Sequence, residues 1–349
     1  MKALVYHGAG VKAWETVPDP KILAPTDAIV RMDTTTICGT DLHILKGDVA
    51  TVAEGRVLGH EGVGTVVDVG AAVTNHKVGD RVIVSCISSC AVCSYCRKGL
   101  PSHCVGMGGI GWVLGHLIDG TQAEYVRTPF ADTSLHGCPE SLTNEQAAMV
   151  SDIYPTGFEI GVQYGDIHPG DVVAVIGAGP VGLAAIATAK FYGPAKVIAL
   201  DLGRSRLDRA LAMGADIAVA TSDDDWVDQV RAHTDGLGVD VAIEAVGIPD
   251  TLRGCVAIVR PGGHVANVGV HGVPVELPLD TMWIDNLHLT TGLVNTTSSQ
   301  MLLSLMEGGR LHPEEMVTHR FTFANILDAY DTFSRALDHD ALKVAIHRE

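Results

Sequence analysis

The sequence predicts an α/β protein in two parts, a β-rich portion and a doubly wound parallel sheet. Three observations lead there. First, VVAVIGAGPVGLAAIATA at residues 172–189 reads as an apolar strand, a glycine turn and a helix in immediate succession. Second, strand and helix signals alternate after it, through KVIAL, RLDRALAMG, VDVAIEAVG (239–247), TLRGCVAIV and GGHVANVGV (262–270). That is the pattern of a parallel sheet with helices on both faces. Third, 349 residues with 39 glycines and 47% hydrophobic side chains suit two turn-rich globular domains.

Charge narrows the partners. Lys and Arg number 24 against 41 Asp and Glu, a formal charge of −17. Such a surface repels phosphate backbones and anionic lipid, so neither nucleic acid nor membrane is expected as a partner. MKALVYHGAG has no apolar run long enough for a signal peptide. The uncharged run at 172–189 has the length of a membrane span, but its glycines and proline break it into strand and helix. A cytoplasmic location is expected.

SSCAVCSYCRKGLPSHC (88–104) holds four of the eight cysteines, spaced Cys90-x2-Cys93-x2-Cys96-x7-Cys104. Paired disulfides do not suit a reducing cytosol. A CxxC redox pair has no use for a third and fourth Cys in register. Two-residue gaps let successive thiolates face a common centre, and four sulfurs make a closed tetrahedral site that suits zinc. An iron–sulfur cluster also takes four thiolates, but a zinc staple is the better reading for a lobe without its own core. Cys86, Cys138 and Cys255 read as small apolar residues.

Within the run at 172–189, Gly177-x-Gly179-x-x-Gly182 follows a strand and opens a helix with Pro180 and Val181 in its first turn. A second strand, KVIAL, ends at Asp201. This is the context of a dinucleotide fingerprint. Gly177 permits the tight turn, Gly179 the approach of backbone to a pyrophosphate, and Gly182 close packing of helix on strand. A carboxylate at Asp201 accepts bonds from the adenosine ribose and repels a 2′-phosphate, which favours NAD over NADP. Arg204 and Arg206 follow closely, and Arg206 borders the same site.

Three further pieces, ICGTDLH (37–43), LGHEGVG (58–64) and VSDIYPTGF (150–158), each adjoin an apolar run. Cys38, His60 and Asp152 offer a thiolate, an imidazole and a carboxylate, a three-ligand set that leaves a fourth zinc position open. Singly each has an ordinary explanation. Asp152 reads as a cap for a helix beginning near Pro155, and Thr40 as the N-cap of a short helix DLHILK.

With the glycine motif, the GHEGVGTVVDVG stretch and the four-cysteine lobe, the chain resembles the zinc-dependent medium-chain dehydrogenases/reductases, the alcohol dehydrogenase family, essentially end to end. The resemblance implies a GroES-like catalytic domain from residues 1–154 and 296–349, carrying a zinc-staple lobe at 86–106. It implies a Rossmann NAD-binding domain at 155–295. It assigns a catalytic zinc to Cys38, His60 and Asp152, with Glu61 as a transient ligand. Asp152 stands where liver-type members have a second cysteine, and this set is similar to the bacterial secondary-alcohol dehydrogenases. Thr40 would take the alcohol proton, and His43 would stand further along the relay to solvent, through the nicotinamide ribose. Asp41 would hydrogen-bond His60 and fix its tautomer. Backbone near Val268, Val270 and Val294 would hold the nicotinamide carboxamide, and Lys343 would meet the pyrophosphate.

The implied activity is NAD-linked interconversion of secondary (or primary) alcohols with ketones or aldehydes, using two zinc ions per subunit. Trp112 and Trp283 are candidates for apolar pocket walls. Polyol and threonine dehydrogenases are rivals in the same superfamily, and a zinc- and NAD-binding protein without turnover is a rival of another class. Bacterial relatives with this pattern are tetramers, so a homotetramer is expected, with a dimer as the alternative. Replacing one cysteine of the lobe tests its reading. Cys93→Ser should remove one equivalent of bound metal and lower the melting temperature; unchanged metal content and melting would exclude the staple.

Overall fold

The computed structural model describes residues 1–349. The chain divides into two compact units, Met1–Asp152 with Asn295–Glu349, and Ile153–Val294.

The first unit is built around Ala28–Thr36, a strand buried along most of its length. It pairs antiparallel with Gly62–Val69, with Tyr125–Thr128 and with Lys343–His347. Arg81–Val84 and Leu135–Gly137 extend the sheet one way and Val317–Thr322 the other. A smaller sheet joins Lys12–Thr16, Lys2–Tyr6 and Arg56–Val57. The C-terminal return belongs to the same core. Helix Ile326–Ser334 buries Ile326, Ala329, Tyr330 and Phe333, the i, i+3, i+4, i+7 face of an amphipathic helix. These side chains share one cluster with Leu4, Met32, Ile37, Val66 and Val84.

The second unit is a six-stranded, wholly parallel sheet. Its order is Ile217–Ala220, Lys196–Asp201, Val172–Ile176, Val239–Glu244, Val259–Asn267, His288–Thr291. VVAVI and VIAL are apolar throughout because helices cover both faces. Val172–Ile176 lies between the strand that follows it and Val239–Glu244, so the order reverses at its carboxyl end, where open α/β sheets bind ligands. Two strands end before their sequence patterns do, and that expected at 239–247 stops at Glu244. The strand expected at 262–270 instead spans Val259–Asn267. Val268 and Gly269 both donate their N–H groups to the Glu244 carbonyl, at 2.8 and 3.2 Å, which ends the ladder and turns 268–270 over the strand end. No helix is long and apolar enough to cross a membrane; VVAVI is a strand and only Pro180–Ala189 is helical.

The glycine turn is the tightest contact in the second unit. A Cβ on Gly182 would lie 1.8 Å from the Gly177 carbonyl oxygen. Backbone cannot yield as a flexible side chain would, so Gly182→Ala should cost at least about 2 kcal/mol of stability. An unshifted urea midpoint would contradict this packing.

Candidate metal and dinucleotide sites

Cys38 follows the central strand and caps helix Gly39–Lys46, with the Asp41 carboxylate accepting its N–H at 2.9 Å. The cap is therefore Cys38, not Thr40, because Asp41 sits three residues on and closes the turn. His60 and Glu61 follow Gly59, which adopts φ +93° against Gln122. Asp152 follows Ser151, whose hydroxyl bonds both the N–H and the carbonyl of Gly62 and whose carbonyl accepts the Cys86 N–H. Ser151 thus ties three distant pieces of chain into one cluster.

One ligand atom from each of Cys38, His60, Glu61 and Asp152 lies within 4.8 Å of all the others, and all four residues are buried. Asp152 Oδ2 is 3.7 Å from Cys38 Sγ and 3.5 Å from His60 Nε2. Donors about a tetrahedral zinc, with bonds of roughly 2.0–2.3 Å, stand about 3.5 Å apart. The electrostatics agree. Burial and then the Glu61 charge push the Cys38 thiol up. Burial pulls the His60 imidazole down, but Asp152 and Cys38 outweigh it and raise it well above its usual value. Four acidic side chains (Cys38, Asp41, Glu61, Asp152) share this interior with one ammonium. A divalent cation is the charge such a donor set fits.

The ammonium belongs to Lys343, and it corrects the expectation for that residue. Lys343 is 1% exposed, its Nζ 2.5 Å from Glu61 Oε2, and Thr36 donates its hydroxyl to the same oxygen. It starts a strand of the buried sheet, so it faces the cluster of acids, not a pyrophosphate. Glu61 Oε1 has no hydrogen-bond partner.

Three more residues escaped the sequence reading. Tyr330 donates to Gln122 Oε1 at 2.7 Å, and Gln122 donates to Asp41 Oδ2 at 3.1 Å. Asp41 Oδ1 stands 3.9 Å from His60 Nδ1, longer than a hydrogen bond. The Cys86 sulfur is 3.5 Å from Asp152 Oδ1, with its thiol held well up by burial and by Asp152. No spacing signal marks any of them.

Thr40 Oγ1 is 3.7 Å from Cys38 Sγ. His43, on the same helix, pairs through Nδ1 with Asp48 at 2.8 Å. Trp112 meets the His60 ring edgewise, centroids 6.2 Å apart, and stacks on His116 at 4.3 Å. Thr51 in turn bonds His116 Nε2 at 2.6 Å. Trp283 is 74% exposed on the second unit and packs in no core.

In the lobe, Cys90, Cys93, Cys96 and Cys104 form a second group with the same 4.8 Å limit. All eight cysteines are free thiols, and Cys93 and Cys96 sulfurs are 3.5 Å apart, far beyond disulfide length. Backbone N–H groups of Cys96 and Val105 bring the Cys93 thiol down to about 6. Burial and neighbouring thiols push Cys96 to about 12. Four sulfurs in one tight loop suit zinc.

In the second unit, Gly177 adopts φ +102°, while a Cβ on Gly179 would meet nothing within 4 Å. That open space lies beside the N-terminus of Pro180–Ala189, where Pro180 takes the first turn and Val181 is half-buried. Asp201 accepts the Ala178 N–H at 2.8 Å and the Gly203 N–H at 2.7 Å, and Arg206 Nη1 is 3.9 Å from Oδ2. Val268 is half-buried and Val270 52% exposed in the turn over Glu244, and Val294 is buried. The open glycine turn, the helix end and a carboxylate at the next strand fit a dinucleotide.

The chain is similar to known proteins along its length. The alcohol dehydrogenase GroES-like domain matches residues 24–139, and the zinc-binding dehydrogenase domain matches 180–308. An alcohol dehydrogenase of Cupriavidus necator is 38% identical over 363 aligned positions, covering 99% of this chain and 98% of that protein. An NADP-dependent isopropanol dehydrogenase of Thermoanaerobacter brockii is 34% identical, with 95% of each chain covered. The apo structure of zinc-dependent alcohol dehydrogenase 2 from Streptococcus pneumonia superposes with a TM-score of 0.96 at 50% identity, covering 100% of this chain and 99% of that one. The chain belongs to the zinc-dependent medium-chain dehydrogenases. Its homologues are alcohol dehydrogenases, and it is an oxidoreductase of that kind.

Breaking the Glu61–Lys343 pair leaves a buried carboxylate uncompensated, so Lys343→Met should destabilise the protein by about 3–5 kcal/mol. The double variant Lys343→Met/Glu61→Gln should regain a large part of that in urea denaturation. Equal loss in both would show that the pair is not coupled.

Proposed function

We propose that this protein is a zinc-dependent, NAD-linked alcohol dehydrogenase that interconverts secondary alcohols and ketones. The observation that carries the reading is the donor set of Cys38, His60 and Asp152, together with a fourth group, Glu61, whose Oε2 is engaged by Lys343 and Thr36. Three committed donors leave a coordination position for substrate. Zinc held there would supply Lewis acidity that lowers the pKa of an alcohol, and NAD would supply the hydride acceptor.

The chain's own residues do the remainder. Asp41, fixed by the Cys38 N–H and by Gln122, stands 3.9 Å from His60 Nδ1 and acts on that imidazole through its charge. The Thr40 hydroxyl, beside Cys38 Sγ, is the group that takes the alcohol proton. His43, paired with Asp48, hands that proton on toward water. Trp112, braced by His116, keeps water from one side of the His60 ring and selects for apolar substituents. Cys90, Cys93, Cys96 and Cys104 hold a structural zinc that staples their lobe.

Asp201 favours NAD, because its carboxylate repels a 2′-phosphate. Arg206 beside it supports the second reading, use of NADP, the cofactor named for the Thermoanaerobacter relative. A cytoplasmic homotetramer accords with the bacterial resemblance.

Reduction of NAD at the reduced-nicotinamide absorbance band, with 2-propanol and 1-phenylethanol, tests the reading. Asp152→Asn should abolish turnover, and Asp201→Gly should raise the Michaelis constant for NAD while narrowing the gap to NADP. Silence across an alcohol panel with either cofactor would leave the protein as a zinc- and nucleotide-binding module without turnover.

A further inference from the structure

At the end of the parallel sheet opposite the glycine turn, three imidazoles and a carboxylate meet. His264 and His288 are register partners on adjacent strands. Their rings stack with centroids 4.4 Å apart and planes inclined by 12°. The turn after the helical segment Gly157–Gln163 brings up Asp166, left-handed at φ +52°, and then His168. Asp166 Oδ2 is 3.9 Å from His264 Nε2, and Oδ1 is 3.9 Å from His168 Nε2. Neither approach is a hydrogen bond. His264 Nδ1 is buried without a partner, so that ring is bonded through neither nitrogen. Burial, followed by the neighbouring His288, lowers the His264 pKa and keeps the ring neutral, with a lone pair to donate.

We propose that Asp166, His168 and His264 form a metal site, separate from both cysteine-containing groups, for a divalent transition-metal ion such as Ni2+ or Zn2+. Imidazole with carboxylate selects such ions over calcium and magnesium, which take oxygen donors. Ligand atoms around an ion with bonds of roughly 2.0–2.2 Å stand about 3–3.5 Å apart. The two separations from Asp166 must therefore shorten by about half an ångström or somewhat more. Asp166 and His168 have that freedom, being 60% and 66% exposed at the side chain. His264 does not need to move, since the stack on His288 holds its ring. Water completes the coordination at this open face.

The test is a calorimetric titration of zinc-replete protein with Ni2+, with zinc counted before and after. One Ni2+ should bind per chain without release of zinc. His264→Ala and His168→Ala should each weaken that binding at least tenfold. His168 is exposed, so its variant folds as the parent does and keeps the test valid should the other fail to fold. Ni2+ should also raise the melting temperature of the parent and not of the His168→Ala variant. Absence of saturable binding, equal binding by both variants, or zinc loss matching the nickel gained would each overturn the site.

Discussion

Buried negative charge is the constraint around which the first unit is organised. Cys38, Asp41, Glu61 and Asp152 are all withdrawn from water in one interior, where an uncompensated ion costs on the order of several kcal/mol. The surrounding structure answers each acid separately. Thr36 and Lys343 take Glu61, and the Cys38 N–H and Gln122 take Asp41. His60 lies 3.5 Å from Asp152, and burial favours the protonated Cys38 thiol. One lysine and one imidazole do not balance three carboxylates and an ionisable thiol, and the arrangement is the kind that a dication completes.

Holding those acids together is the task of the backbone. Strand Ala28–Thr36 delivers Cys38, the left-handed Gly59 delivers His60, and Ser151 knots Gly62 and Cys86 to the segment ending at Asp152. In the second unit one carboxylate has a similar task on a smaller scale. Asp201 fastens the Ala178 amide of the glycine turn to the end of the neighbouring strand, so the turn's shape depends on that side chain.

What could be read from the sequence was what is local in it. The glycine motif follows from spacing within six residues, and the lobe of four cysteines from gaps of two and seven. Both groups of donor residues meet in space as the motif and the resemblance implied. The partner of Lys343 was not legible, because nothing in its neighbourhood points to Glu61 across the sheet. Gln122 and Tyr330 were hidden for the same reason, being 208 residues apart. The capping residue was misread by two positions, since a serine- or threonine-like rule picks Thr40 where the geometry uses Cys38 with Asp41. The strand at 262–270 was placed three residues late because Val268 and Val270 alternate like strand residues, while the Val268 and Gly269 N–H groups bond the Glu244 carbonyl.

The discontinuous first unit has a consequence for biosynthesis. Its central strand pairs with Lys343–His347, and the only ammonium opposing Glu61 arrives in that last segment. A chain emerging from the ribosome can close the contiguous second unit early. The acids of the first unit must meanwhile wait, solvated and apart, for Lys343, which follows the whole of the second unit in the chain. Distant pairings of this sort make assembly slow and leave sheet edges open in the interval. A chain lacking Lys343–His347 would strand those acids in an unfinished fold.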